Sequence, residues 1–152
     1  MPLRRLRGGF SLVELIVVMA IMILISGIVF TNLFSSGQQQ KLDAERDRFA
    51  SALQDARARA IAQEEGSQWS VYVDGQTDMY AVFAGADYGS GTTTDTLYLP
   101  VGMEIVSPTG TTTVAFTKGS GTTTAATFVI GRTADQSSSS TISVSAGGAI
   151  AY

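Results

Sequence analysis

The feature that most constrains this 152-residue chain is a run from Leu12 to Phe34 that is almost wholly apolar and contains one charge, Glu14. As a helix rising about 1.5 Å per residue, a run of this length matches the roughly 30 Å hydrocarbon core of a bilayer. Arg4, Arg5 and Arg7 precede the run, and the next basic residue is Lys41. That asymmetry keeps the first residues in the cytoplasm and sends the remainder of the chain outward. A carboxylate at the centre of a lipid-facing helix costs about 2.5 to 3.5 kcal/mol and is ordinarily kept for a partner. Glu14 is therefore the first candidate functional residue.

A cleaved secretory signal also starts with basic residues and an apolar stretch, and Ser35, Ser36 and Gly37 could pass for its small-residue cleavage site. Glu14 near the start of the run argues against that reading. So does the helical pattern that continues past Lys41. The exported part carries no cysteine, so it has neither a disulfide framework nor thiol chemistry, and no histidine, the commonest general base and metal ligand. Serines without a visible activating base give no support to catalysis, and no cofactor is expected.

Residues 38–65 read as the soluble half of one long helix. Leu42, Phe49, Leu53, Ala56 and Ala60 form a single apolar stripe, and Asp43 with Arg46 and Asp55 with Arg59 stand at ion-pair spacing on the surface. Gly66 is the expected cap that ends it. The periodicity then changes to that of strands. "QWSVYVDGQTDMYAVFA" predicts a hairpin turning at Asp74 and Gly75, with further strands over 96–99, 103–106, 113–117, 126–130, 141–145 and 149–152. "GTTT" at 91, 110 and 121 is too unevenly spaced for a solenoid and reads as loops entering strands, and "SSSS" at 137–140 reads as a polar loop. With no proline between Phe10 and Gly66, Gly27 and Ser35 to Gly37 are the places where any bending or local melting of the helix is expected.

The basic leader ending in Gly8 and Gly9, followed by "FSLVELIVVMAIMILI" with Phe10 first and Glu14 fifth, resembles the start of the type IV pilin and pseudopilin superfamily. "FASALQDARARAIAQEEGSQWSVYV", "VAFTKGSGTTTAATFVIG" and "TISVSAGGAIAY" are similar to stretches of the GspH/FimT-type minor pseudopilins. The resemblance implies an α+β fold, with a long N-terminal helix packed on a C-terminal antiparallel sheet. Its parts are a leader (1–9), a membrane and filament-core helix (10–36), the soluble half of that helix (37–66) and a β-rich head (67–152).

The family's biology implies a prepilin peptidase that cuts between Gly9 and Phe10 and methylates the new Phe10 amine. It also implies an inner-membrane assembly platform and other pilin subunits as partners. The chain would start as a single-pass inner-membrane protein and end in a periplasmic or extracellular filament of a pilus or type II secretion machine. Glu14 would meet the amine of a neighbouring subunit, or its own Phe10 amine one turn away.

Alternatives are a competence pseudopilin that takes up DNA, or an abundant major or adhesive pilin. Phosphate binding needs clustered Lys and Arg, whereas beyond Gly66 only Lys118 and Arg132 stand against Asp74, Asp78, Asp87, Asp95, Glu104 and Asp135. Nucleic acid is thus an unfavoured partner. The aspartates at 74, 78, 87 and 95 match no calcium loop and are expected as turn residues, so no metal site is expected. "KGSGTTT" at 118–124 has its lysine on the wrong side of the glycines for a phosphate loop and is expected as a hairpin turn.

Overall fold

Apolar periodicity draws one long helix out of the first part of the chain. In the computed structural model, which describes residues 11–152 and their side chains apart from 27–36 and 136, α1 spans Leu12–Ala62. It runs without interruption through Gly27 and Ser35 to Gly37, so the expected sites of local melting do not break it. The chain divides into two units, Met1–Gln38 and Gln39–Tyr152, and α1 contributes to each.

In the second unit the stripe read from the sequence is buried: Leu42, Leu53, Ala56 and Ala60 are fully inaccessible and Phe49 nearly so. The opposite face holds the expected ion pairs, Asp43 to Arg46 at 3.5 Å and Asp55 to Arg59 at 2.8 Å. Exposed pairs of this kind add at most about 1 kcal/mol each, so the buried stripe holds this half of the helix in place.

The helix ends four residues before the expected cap. Gln63 (φ 58°) and Glu65 (φ 54°) adopt left-handed backbone, and Glu64–Gly66 forms a single 3-10 turn. Carbonyls at this end gain distant donors: Gly119 N–H donates to Ala60 O at 2.8 Å, beside the local Gln63 N–H at 3.2 Å, and Lys118 Nζ donates to Gly66 O at 2.8 Å. Tertiary bonds, which a local pattern does not reveal, therefore set the terminus.

Eight strands follow: β1 Trp69–Asp74, β2 Met79–Ala84, β3 Thr92–Tyr98, β4 Met103–Ser107, β5 Thr111–Phe116, β6 Ala126–Arg132, β7 Asp135–Val144 and β8 Ile150–Ala151. They form two antiparallel four-stranded sheets, A in the order β3-β2-β1-β5 and B in the order β4-β6-β7-β8. The expected single sheet is thus two. The β1–β2 hairpin turns where expected, with Asp74 opposite Met79 and the Asp74 carboxylate accepting from Gln76 N and Thr77 Oγ1.

"SSSS" is strand and not loop. Ser139 and Ser140 pair with Gly131 and Ile130, while Asp135 anchors the turn by accepting from Ser137 and Ser138. Further along β7, Ile142 and Val144 point into the core and Thr141 and Ser143 point outward. A strand with one solvated face needs few apolar residues, which is why the serine run concealed it.

Phe49 joins the helix to both sheets. Its ring meets Tyr80 of sheet A edge-on at 4.8 Å and Phe128 of sheet B edge-on at 5.1 Å. Around it Trp69, Val71, Phe116, Ile130 and Ile142 complete one continuous core.

Candidate assembly site

The first unit presents the opposite chemistry. From Leu12 to Ile25 the helix is exposed on all sides: Leu12 is 74% accessible, Ile23 73% and Leu24 70%, and residues all round the helix are similarly open. A surface of this kind is stable in water only when lipid or other helices cover it. Ser26 Oγ donates to Met22 O at 2.7 Å and so presents no free donor to that cover. Glu14 stands exposed in the first turn, where the positive end of the helix dipole favours a carboxylate. Among the described residues no cation comes within ion-pair distance of it.

Gly8, Gly9 and Phe10 lie outside the described residues. Among the described residues no helix is long and apolar enough to cross a membrane. Residues 12–26, whose side chains are described, amount to about 22 Å of helix at 1.5 Å per residue, against a core of about 30 Å. The second half of the expected span, residues 27–36, has no described side chains.

Of the four aspartates considered for calcium, Asp74 and Asp78 share the β1–β2 turn, Asp87 lies in the loop before β3, and Asp95, expected in a turn, sits within β3. Asp74 closes the β1–β2 loop, Asp78 Oδ1 accepts from Ile105 N at 2.8 Å, and Asp87 accepts from Ser90 at 3.4 Å. Among the described residues no group of three metal-ligating side chains forms. Lys118, whose motif suggested a turn, sits in one: Gly121 N–H donates to Thr117 O and Thr117 N–H to Thr122 O, each at 2.8 Å. The clamp it belongs to was not foreseen from the sequence. Arg57 Nη2 donates to Gly147 O at 3.3 Å, and Thr123 N–H to Ala146 O at 3.0 Å, so two glycine-bearing loops close over the helix end. The glycines of "GSG" and "AGG" were the only signal for it.

A family model described as type II transport protein GspH matches residues 45–148. The chain belongs to the GspH family. A second model, the prokaryotic N-terminal methylation motif, matches residues 4–30. Among solved structures, the GspH-family fold here is similar to the type IV minor pilin FimU of Pseudomonas aeruginosa, with 19% identity over 75% of this chain and 89% of that one and a TM-score of 0.61. It is also similar to the minor pseudopilin EpsH from the type 2 secretion system of Vibrio cholerae, with 15% identity over 73% and 94% and a TM-score of 0.56. No curated protein matches significantly.

The expected α+β pilin architecture is present. As a member of this family with a pilin-type start, the chain is a structural subunit of a filament, not an enzyme, and assembles with other pilin-like subunits. The N-terminal motif implies an inner-membrane anchor first and a place in the filament afterwards.

Proposed function

We propose that this GspH-family chain is a minor pseudopilin, inserted as a single-pass inner-membrane protein with its N-terminus in the cytoplasm and its head exported. Prepilin peptidase cuts between Gly9 and Phe10 and methylates the Phe10 amine, and the assembly platform then moves the subunit from bilayer to filament. The observation that carries this reading is the exposed apolar helix Leu12 to Ile25 with Glu14 as its one charge. One surface serves in both places, because the lipid leaving it is replaced by neighbouring helices of the same polarity.

Glu14 gives the transfer its register. In the filament its carboxylate faces the cationic amine of the adjoining subunit, and removing one member of a buried pair costs about 3 to 5 kcal/mol because the other is left uncompensated. The head offers no comparable reason to bind DNA, since Lys118 is already engaged with Gly66 O.

The test is fractionation of sheared filaments against the membrane pool, for wild type and Glu14→Gln expressed with the rest of the machine. The variant should insert and be cut normally, because an uncharged amide is easier to hold in hydrocarbon. Its share of the filament fraction should fall by roughly tenfold or more, given the pair energy. Equal incorporation would remove the registering role from Glu14.

A further inference from the structure

Among the described residues, the second unit leaves four large apolar side chains exposed: Ile61, Tyr98, Val101 and Tyr152. Arg46 lies over the Tyr152 ring at 5.3 Å and covers it in part. The other three stand at opposite ends of the head. β1 runs from Trp69, opposite Phe116, to Asp74, opposite Met79, and Met79 pairs with Tyr98. Tyr98 and Val101 therefore lie at the Asp74 end. Ile61 lies at the Trp69 end, where the turn after β5 is tied to the helix by the bond from Gly119 N–H to Ala60 O.

The Val101 end is a fixed knob. Met103 N–H donates to Pro100 O at 3.1 Å, and Gly102 at φ +92° supplies the third position that this type of turn requires. Leu99 N–H donates to Asp78 O, Thr133 N–H to Gly102 O, and Ile105 N–H to Asp78 Oδ1, so the neighbouring turns hold the tip from both sides. These turns bring Asp74, Asp78 and Asp135 to the tip against one cation, Arg132. Hydrogen bonds within the turns hold the Asp74 and Asp135 carboxyls below the usual range, so both are charged at neutral pH.

The Ile61 end carries the opposite rim. Arg57 precedes Ile61 by one helical turn on the same face, and a Cβ on Gly121 would lie 2.7 Å from Ile61 Cγ1 and 3.2 Å from Arg57 Cγ. Among the described residues, no carboxylate stands within ion-pair distance of Arg57 or Lys118. Both donate to neutral carbonyls, Gly147 O and Gly66 O, and Arg57 Nε is buried without a partner. Glu64 is tied to Arg59, which leaves Glu65 against the two cations.

We infer that the Val101 tip of one copy seats on Ile61 of a second copy, with Asp74 and Asp135 facing Arg57 and Lys118, so that heads stack end to end. The occupant is a second copy because one chain carries both halves of the match, an apolar tip with an acidic rim and an apolar side chain with a basic rim. Contact between unlike ends is heterologous and extends without closing. Both surfaces belong to the second unit, so the match does not depend on where the membrane helix points. Three apolar side chains are too few to bury the roughly 1,200 Å² of a stable complex, so the contact orders copies that are already held together. It rests on the proposed function only for that setting, the filament.

The chain has no cysteine, so Ile61→Cys and Val101→Cys introduce its only thiols, both at exposed positions. The full-length variants are expressed with the rest of the machine, and sheared filaments are blotted for the chain, labelled with a maleimide, or oxidised and run without reductant. The double variant should give dimers and higher bands, while each single variant stays monomeric. Lys118→Glu in the double-cysteine background should lower the cross-linked share by about threefold, because an exposed attraction becomes a repulsion. Added salt during oxidation should lower it as well, since exposed charges are screened. A single variant that dimerises as readily as the double would show like ends meeting and overturn the inference. Thiols that label without cross-linking, or cross-links that respond to neither the charge reversal nor salt, would overturn it too. A filament fraction that lacks the chain altogether would instead remove the proposed function, and this inference with it.

Discussion

Tyr80 is a core residue whose polar atom gains nothing from being there. It is 1% exposed in β2, and its buried hydroxyl has no hydrogen-bond partner among the described residues. Burial pushes the phenol from 10.0 up to about 12, with the nearby Arg48 cation opposing and the Glu45 and Asp95 carboxylates adding to the rise. An upward shift stabilises the folded chain fully below about pH 10, and that contribution is lost as pH rises towards about 12. Tyr80→Phe keeps the ring against Phe49 and removes the unpaired hydroxyl. Its stability at neutral pH should match or exceed wild type by on the order of 1 kcal/mol. Alkaline titration followed by circular dichroism should show wild type losing stability across that window and the variant losing less; equal losses would show that Tyr80 does not govern it.

Asp74 and Asp135 shift the other way. Hydrogen bonds from Gln76 and Thr77, and from Ser137 and Ser138, hold their carboxyls below the usual range, so those turns weaken only as pH falls. Gly148 is the tightest residue of the clamp. It has φ +78°, and a Cβ there would lie 2.1 Å from Gly121 O and 2.8 Å from Arg57 Nε. Gly148→Ala should cost about 1 to 3 kcal/mol from backbone strain alone, with the clash added to it. Denaturant unfolding checks this, and a cost below 0.5 kcal/mol, about the scatter of surface substitutions, would show that the two loops do not meet as described.

Among the elements, α1 depends on Phe49 more than on its surface charges. Truncation by Phe49→Ala opens a void against Tyr80 and Phe128 together, and should cost about 3 to 5 kcal/mol. Removing the Asp43–Arg46 pair should cost less than 1 kcal/mol. Thermal melts of the two variants give the comparison, and a ratio near one would contradict a core-held helix. This difference also explains what could be read in advance. Leu42, Phe49, Leu53, Ala56 and Ala60 follow the helical period because one face is buried, and Trp69, Val71 and Val73 alternate because one side of β1 is. Local burial leaves a local pattern.

The serines of β7 escaped because their outward face is solvated. The helix end was misplaced because Gly119 and Lys118, far along the chain, cap it. The division into two sheets depends on which distant strands meet, and residue spacing does not encode that. At the candidate assembly site the reverse holds: Glu14 is legible from the sequence alone, since a charge inside an apolar run needs no fold to be conspicuous.

At the scale of the whole molecule, the two units divide the work by polarity. Gln39–Tyr152 buries its apolar side chains in one core, whereas the helix of the first unit leaves Leu12 to Ile25 uncovered for lipid or for other subunits. The proposed function requires that helix to pass from membrane to filament, and in that proposal the passage begins with loss of the leader. Intact-mass and N-terminal fragment spectra of the chain recovered from sheared filaments test this most directly. The expected result is a chain beginning at N-methylated Phe10 and retaining Glu14. A chain starting near Gly37, cut as an ordinary secretory signal would be, would contradict it.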